Sequence, residues 1–223
     1  IIKRIPLKKQ IEQPNNFGVT FYDKYIILIS LNYPDIIIYD TQKDDVKYVK
    51  VQLDLFFDYT INGVKRFGGV CFLNGYYFVA NPIEDRILAL EIATGSFKLM
   101  KTNVDYSCGS FSLNSDGKDI WILPLNGSKI TRWNPFSGES QAYDNMPDGL
   151  KCKNYLHGYE CMEMPFWRLE FEGDNVYISP YNANMFVKLN KQNGQVLEWE
   201  IPVSIPQTYK NGYFYSMGRA FLY

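Results

Sequence analysis

Histidine is almost missing from this sequence, with a single residue, His157, in 223. Chemistry that leans on imidazole, whether a general-base relay or a zinc site, therefore has little to work with. The four cysteines, Cys71, Cys108, Cys152 and Cys161, form no CxxC pair, which removes the usual structural zinc patterns. Neither charge sign dominates: 23 Lys and Arg stand against 24 Asp and Glu, mixed along the chain. That balance leaves no electrostatic footprint for nucleic acid or for an anionic membrane surface. No apolar run reaches the length of a membrane span, so no membrane insertion is expected. No cofactor or metal is expected either. The opening Ile1-Ile2-Lys3-Arg4 lacks a signal-peptide pattern, and a chain beginning at Ile rather than Met leaves cytoplasmic and secreted locations both open.

What is abundant is aromatic and β-branched. Tyr occurs 18 times and Phe 15 times, and apolar residues come in runs of four or five, too short for helices of ordinary length. Val176–Ser179 and Met185–Leu189 read as buried strands joined by the polar turn Pro180-Tyr181-Asn182-Ala183-Asn184. Asn193-Gly194 then signals a second hairpin. Counted back from that glycine, FVKLNKQNG superposes on ITRWNPFSG ending at Gly138, ILALEIATG ending at Gly95, and IIIYDTQKDD with its turn at Asp44. The spacing is irregular at roughly 40–55 residues, the length that radial β architectures use. A matching strand precedes each copy: YIILIS, YYFVAN, IWILPL and VYISPY.

The repeats fall at about 17–53, 68–102, 109–146 and 167–203. The third contains a Ser115-Asp116-Gly117-Lys118 turn before an apolar strand. After Pro206 the chain offers only three strands of a further repeat, within 205–223. IIKRIPL at 1–7 resembles an outer strand and supplies the missing fourth. Pairing the two ends inside one sheet would remove free edges. Together these features resemble a β-propeller, with four-stranded antiparallel blades of the WD40, kelch and bacterial quinoprotein-like general pattern. The resemblance implies an all-β fold in one domain over 1–223, with five blades, or else part of a six- or seven-bladed ring. It names no functional family, because neither a Trp-Asp blade signature nor a kelch double glycine is kept through the repeats.

In such a ring, ligands sit at the channel mouth, on the face carrying the second-to-third-strand turns and the blade-to-blade loops. Two of those loops are enlarged, about 54–66 and 143–165, and long loops carry function more often than short ones. The candidate ligand-binding residues are Asp58, Arg66, Tyr155, His157, Tyr159, Glu160, Trp167, Arg168 and Arg219. Arg168 is expected at an inner-strand position that Gly18, Gly69 and Ser110 fill in the other repeats, which would put a long cation near the channel. Against this, a lone loop histidine is usually a packing or surface residue, Trp167 could cap the core, and Arg168 could pair with a neighbouring carboxylate. Cys71 and Cys108 read as free core thiols. Cys152 and Cys161 share the second long loop, where a disulfide is open to an exported protein. No catalytic set is assigned. The expected function is non-catalytic binding of a carbohydrate, peptide or protein. The alternative is a glycoside hydrolase or other propeller enzyme using loop carboxylates about 5–10 Å apart.

Overall fold

The computed structural model describes residues 8, 17–30, 33–51, 60–61, 64–65, 68–81, 86–102, 110–152 and 163–199. They form four antiparallel four-stranded sheets in which strands follow one another in chain order. The first holds β1 (Gly18–Tyr22), β2 (Tyr25–Ile29), β3 (Asp35–Asp40) and β4 (Asp45–Lys50). A two-stranded hairpin, β5 (Thr60–Ile61) and β6 (Val64–Lys65), lies within the first enlarged loop. The second sheet holds β7 (Val70–Leu73), β8 (Tyr76–Ala80), β9 (Arg86–Glu91) and β10 (Phe97–Lys101). The third holds β11 (Ser110–Ser115), β12 (Ile120–Pro124), β13 (Ile130–Trp133) and β14 (Ser140–Tyr143). The fourth holds β15 (Phe166–Glu172), β16 (Asn175–Pro180), β17 (Val187–Asn190) and β18 (Val196–Glu198).

In the second and third sheets the middle strands are apolar with little alternation because a described sheet packs on each of their faces, whereas β16 and β17 of the fourth sheet alternate buried with part-exposed residues. All five residues of β12 are buried, as are Asp35, Ile36, Ile37 and Ile38 in β3. Three apolar clusters join successive sheets. Ile27, Ile36 and Ile38 pack on Tyr77, Leu88 and Leu90. Phe78, Ile87 and Ala89 pack on Leu113, Ile122 and Trp133. Trp121, Leu123 and Ile130 pack on Leu169, Val176 and Leu189.

The four turn positions that align in the sequence share one backbone state. Asp44, Gly95, Gly138 and Gly194 have φ of 54°, 76°, 80° and 71°. A left-handed residue there lets the outer strand fold back, and glycine takes that conformation without a Cβ penalty. Side-chain oxygens at the entry fix the same turns: Asp40 accepts from the amides of Gln42 and Lys43, Asn134 from Phe136 and Ser137, and Asn190 from Gln192 and Asn193. Such local bonds favour the turn over continued strand.

The Ser-Asp-Gly-Lys turn anchors the third sheet. Asp116 accepts from the amides of Lys118 and Asp119 and, at 2.9 Å, from the indole Nε1 of buried Trp121. Asp119 accepts from Arg132 Nε at 2.6 Å and Asn134 Nδ2 at 2.8 Å. Burial pushes the Asp116 carboxyl up, but its amide and indole donors outweigh that and leave it below its ordinary 3.8. A lowered folded-state value stabilises the fold above the unfolded value and loses that contribution as pH falls through the folded one. Asp116→Asn is therefore expected to flatten the acid limb of a stability-versus-pH curve below about pH 4, read by urea melts at stepped pH. An unchanged limb would assign the acid sensitivity elsewhere.

Two sequence expectations shift. Met185 and Phe186 lie outside β17, which begins at Val187; Met185 is buried and the Phe186 carbonyl accepts from the Trp199 amide. In the third sheet the residue in register with Arg168 is Ser112, not Ser110. A bulge between Ser110 and Ser112, matching one between Phe166 and Arg168, and a longer first turn displace the count.

Candidate functional site

Each sheet has two kinds of end. The first and third turns of a sheet meet at one end, where the amides of Thr41, Ile92 and Lys191 donate to the carbonyls of Lys24, Gly75 and Asp174. The second turns and the sheet-to-sheet connections lie at the other. Between the third and fourth sheets that second end is tightly laced. The Met164 amide donates to the Leu125 carbonyl at 2.7 Å, and the Tyr181 and Ala183 amides donate to the Pro165 carbonyl at 2.7 and 3.1 Å. Glu163 is the hub: its amide donates to Asn126 Oδ1, its carbonyl accepts from Asn182 Nδ2 and Cys152 Sγ, and its carboxylate takes the Gly127 amide. Asn184 accepts from the Lys151 amide through Oδ1 and donates to the Gly149 carbonyl through Nδ2. Cys152 is a free thiol, and burial with the nearby Glu163 charge pushes it up to about 11. It stays protonated at neutral pH, which suits its role as a donor.

This lacing presents Trp167. As the bulged residue of β15 it drops out of the ladder, so its side chain turns outward while Phe166 and Leu169 remain in the core. It is 52% exposed. Its ring is backed by Tyr181, stacked at 5.1 Å and 16°, so the indole is held by contact on one side and open to solvent over half its surface. The idea that Trp167 caps the core is corrected here: the bulge reverses its direction.

Beside it, β7, β11 and β15 converge on a cavity of about 620 Å³ whose wall includes Gly69, Ser112, Asn114, Trp167, Arg168 and Glu170. That volume lies within the range of ordinary ligand pockets. Asn114 ties the walls together, accepting from the Leu169 amide and donating to Ser112 Oγ, both at 3.4 Å. β7 and β11 approach so closely that a Cβ on Gly69 would lie 2.7 Å from both Ser112 Cα and Leu113 N. In register, Gly18, Gly69, Ser112 and Arg168 form one ring of positions and Thr20, Cys71, Asn114 and Glu170 the next. The fourth sheet therefore replaces small neutral residues with a charged pair.

Arg168 Nε lies 2.8 Å from Glu170 Oε1, with side chains 58% and 38% exposed. An exposed pair of this kind is worth about 0–1 kcal/mol. A ligand carboxylate or carbonyl could redirect the guanidinium at little cost. Among the described residues no group of three or more His, Cys, Asp or Glu is placed to hold a metal ion, and no helix is long and apolar enough to cross a membrane.

Of the residues singled out from the sequence, Trp167 and Arg168 meet at this site. Asp58, Arg66, Tyr155, His157, Tyr159, Glu160 and Arg219 lie outside the described residues. Sequence reasoning passed over Asn114, Tyr181 and the tethering role of Glu163. Only Asn114 left a signal, as the polar member of the ring that holds Glu170.

No family model matches the sequence. No curated protein matches it either. Solved structures do. The β-propeller domain of Cps50 (Swd1) from Myceliophteria thermophila is similar over 87% of this chain and 58% of its own, with a TM-score of 0.53 and 8% identity. The chain is a β-propeller. A chain of the nidogen/laminin complex is similar over 78% of this propeller and 58% of its own length, with a TM-score of 0.50 and 9% identity. This propeller thus spans 58% of the length of each of these two chains. At such identities the likeness concerns the fold, and the four sheets among the described residues are blades of it.

Proposed function

We propose that the protein is a non-catalytic binding propeller that takes a peptide or protein ligand on the face carrying Trp167 and Arg168. One observation carries the reading: a bulge turns a half-exposed, ring-backed tryptophan outward beside a loosely paired arginine, at the rim of a cavity. Aromatic and arginine side chains of this kind dominate the energetics of protein interfaces. The similar chain that comes from a nidogen/laminin complex agrees with an interaction role. Carbohydrate is the second reading, favoured by the 52% exposure of Trp167. It ranks lower because the amides of Asn182 and Asn184 are engaged in holding the loop and leave those groups committed. The same proposal takes 1–223 as one domain, with 205–223 and 1–7 forming a fifth blade. In support, Thr20 and Tyr22 face the second blade, leaving Val19 and Phe21 on the opposite face, 52% and 71% exposed.

Selecting a displayed peptide library against the purified protein tests the function. Enriched peptides are expected to lose about tenfold or more in affinity against Trp167→Ala, and less against Arg168→Ala. Peptides that bind Trp167→Ala as well as the parent would refute the site. A glycan array showing binding that Trp167→Ala abolishes would move the reading to carbohydrate.

A further inference from the structure

The cavity beside Trp167 is balanced in charge. Among the described residues that line it, Arg168 and Glu170 are the only charged ones, one of each sign. Its amide is already spent, since Asn114 uses the carbonyl oxygen on the Leu169 backbone and the nitrogen on Ser112 Oγ. The ion pair is not committed in that way. Among the described residues each partner is the other's only ionic contact, and both side chains remain more than a third exposed. The 2.8 Å contact runs through Nε, at the side of the guanidinium, so the end-on fork of its two Nη groups stays available to an incoming carboxylate.

Such a pair discriminates between ligands by their charge. An anion that took the guanidinium would draw Arg168 off Glu170 and stand beside an uncompensated carboxylate, and a cation on Glu170 would strand the guanidinium in the same way. Juxtaposed like charges reject a partner. A ligand that brings one charge of each sign compensates both. The spacing also fits a peptide. Arg168 and Glu170 lie two residues apart in β15, beyond its bulge, so their side chains leave one face of the strand about 7 Å apart. An extended ligand segment has the same period and presents its own residues i and i+2 at that distance.

We infer that the ligand of this face is an extended peptide segment with one acidic and one basic residue two positions apart, which opens the Arg168–Glu170 pair and replaces it with two intermolecular pairs. The inference rests on the peptide-binding reading of the Trp167 face and adds the chemistry of the ligand.

The test is a displayed peptide library in which positions i and i+2 are restricted to Glu, Gln or Lys and the others are random. Against the parent protein, Glu-x-Lys and Lys-x-Glu peptides are expected to be enriched about threefold or more over Glu-x-Glu, Lys-x-Lys and Gln-x-Gln. One of the two mixed orders should lead, because contact with Trp167 fixes the direction in which the segment lies. The Arg168→Glu, Glu170→Arg double variant should keep the preference for mixed charge and exchange that order, and Glu170→Gln should move the enrichment to peptides with a single Glu. Both side chains are exposed, and thermal melts verify that the variants fold. Peptides that bind in a Trp167-dependent way without a charge preference overturn this inference and leave the binding face standing. So does an order that the double variant fails to exchange. No enrichment at all, or peptides that bind Trp167→Ala as well as the parent, would remove the face and this inference with it.

Discussion

Replacing Trp121 with alanine is expected to destabilise the protein by about 3–5 kcal/mol. The side chain is fully buried and touches much of the interface between the third and fourth blades. Its ring stacks on Tyr143 at 5.5 Å and 13°, tilts against Phe171 at 5.9 Å, and lies beneath the Arg132 guanidinium at 5.9 Å. Its Nε1 also supplies one of the donors that hold Asp116. Alanine therefore leaves a cavity and removes a hydrogen bond together. A domain of this size has a net stability of about 5–15 kcal/mol, so the loss is a large share of it. The melting midpoint should fall by roughly 10 °C. Trp121→Phe keeps most of the packing and removes the donor, so about 1–2 kcal/mol is expected. Guanidinium melts of the two variants separate packing from hydrogen bonding. Equal losses would mean that the bond to Asp116 dominates.

Gly69→Val is expected to cost about 3 kcal/mol, the upper part of the range for overpacking. The two nearest neighbours of the new Cβ, Ser112 Cα and Leu113 N at 2.7 Å, are backbone, so rotating the nearby Ser112 side chain would not make room. β7 and β11 would have to separate, which also widens the cavity wall shared with Asn114 and Arg168. The expected readout is a lower denaturation midpoint together with weaker binding by peptides selected on the Trp167 face. Gly75→Ala makes a useful contrast. A Cβ there meets nothing within 4 Å, but φ is 80°, so its penalty is local strain at a turn without damage to the cavity. If Gly69→Val were no more harmful than Gly75→Ala, the close approach of the two inner strands would not matter to stability.

The turns were legible in the sequence because their chemistry is local. Asp44, Gly95, Gly138 and Gly194 align at a common offset, and all four adopt left-handed backbone. The Ser-Asp-Gly-Lys segment was likewise recognisable, since Asp116 bonds to residues two, three and five positions away. The site was legible only in part. Arg168 stood out as a long cation where the other repeats were aligned on Gly18, Gly69 and Ser110, and Trp167 as an aromatic at the end of the long loop. Pattern reading could not show that a bulge turns Trp167 outward, and the same bulge in the third blade moved the matching position from Ser110 to Ser112. Nothing local marked Glu163, which binds Gly127 and Asn126, 36 and 37 residues away in sequence.

By itself the sequence determined the all-β class, the four-strand repeat and the positions of the hairpins, because strand patterning and turn dihedrals depend on a few consecutive residues. The tertiary structure alone decided which residues meet at the cavity and its rim. Gly69 against Ser112, Asn114 against Leu169, and Trp167 against Tyr181 are contacts set by how neighbouring sheets pack and where a strand bulges. Those outcomes depend on long-range packing, and no short window of sequence contains both partners.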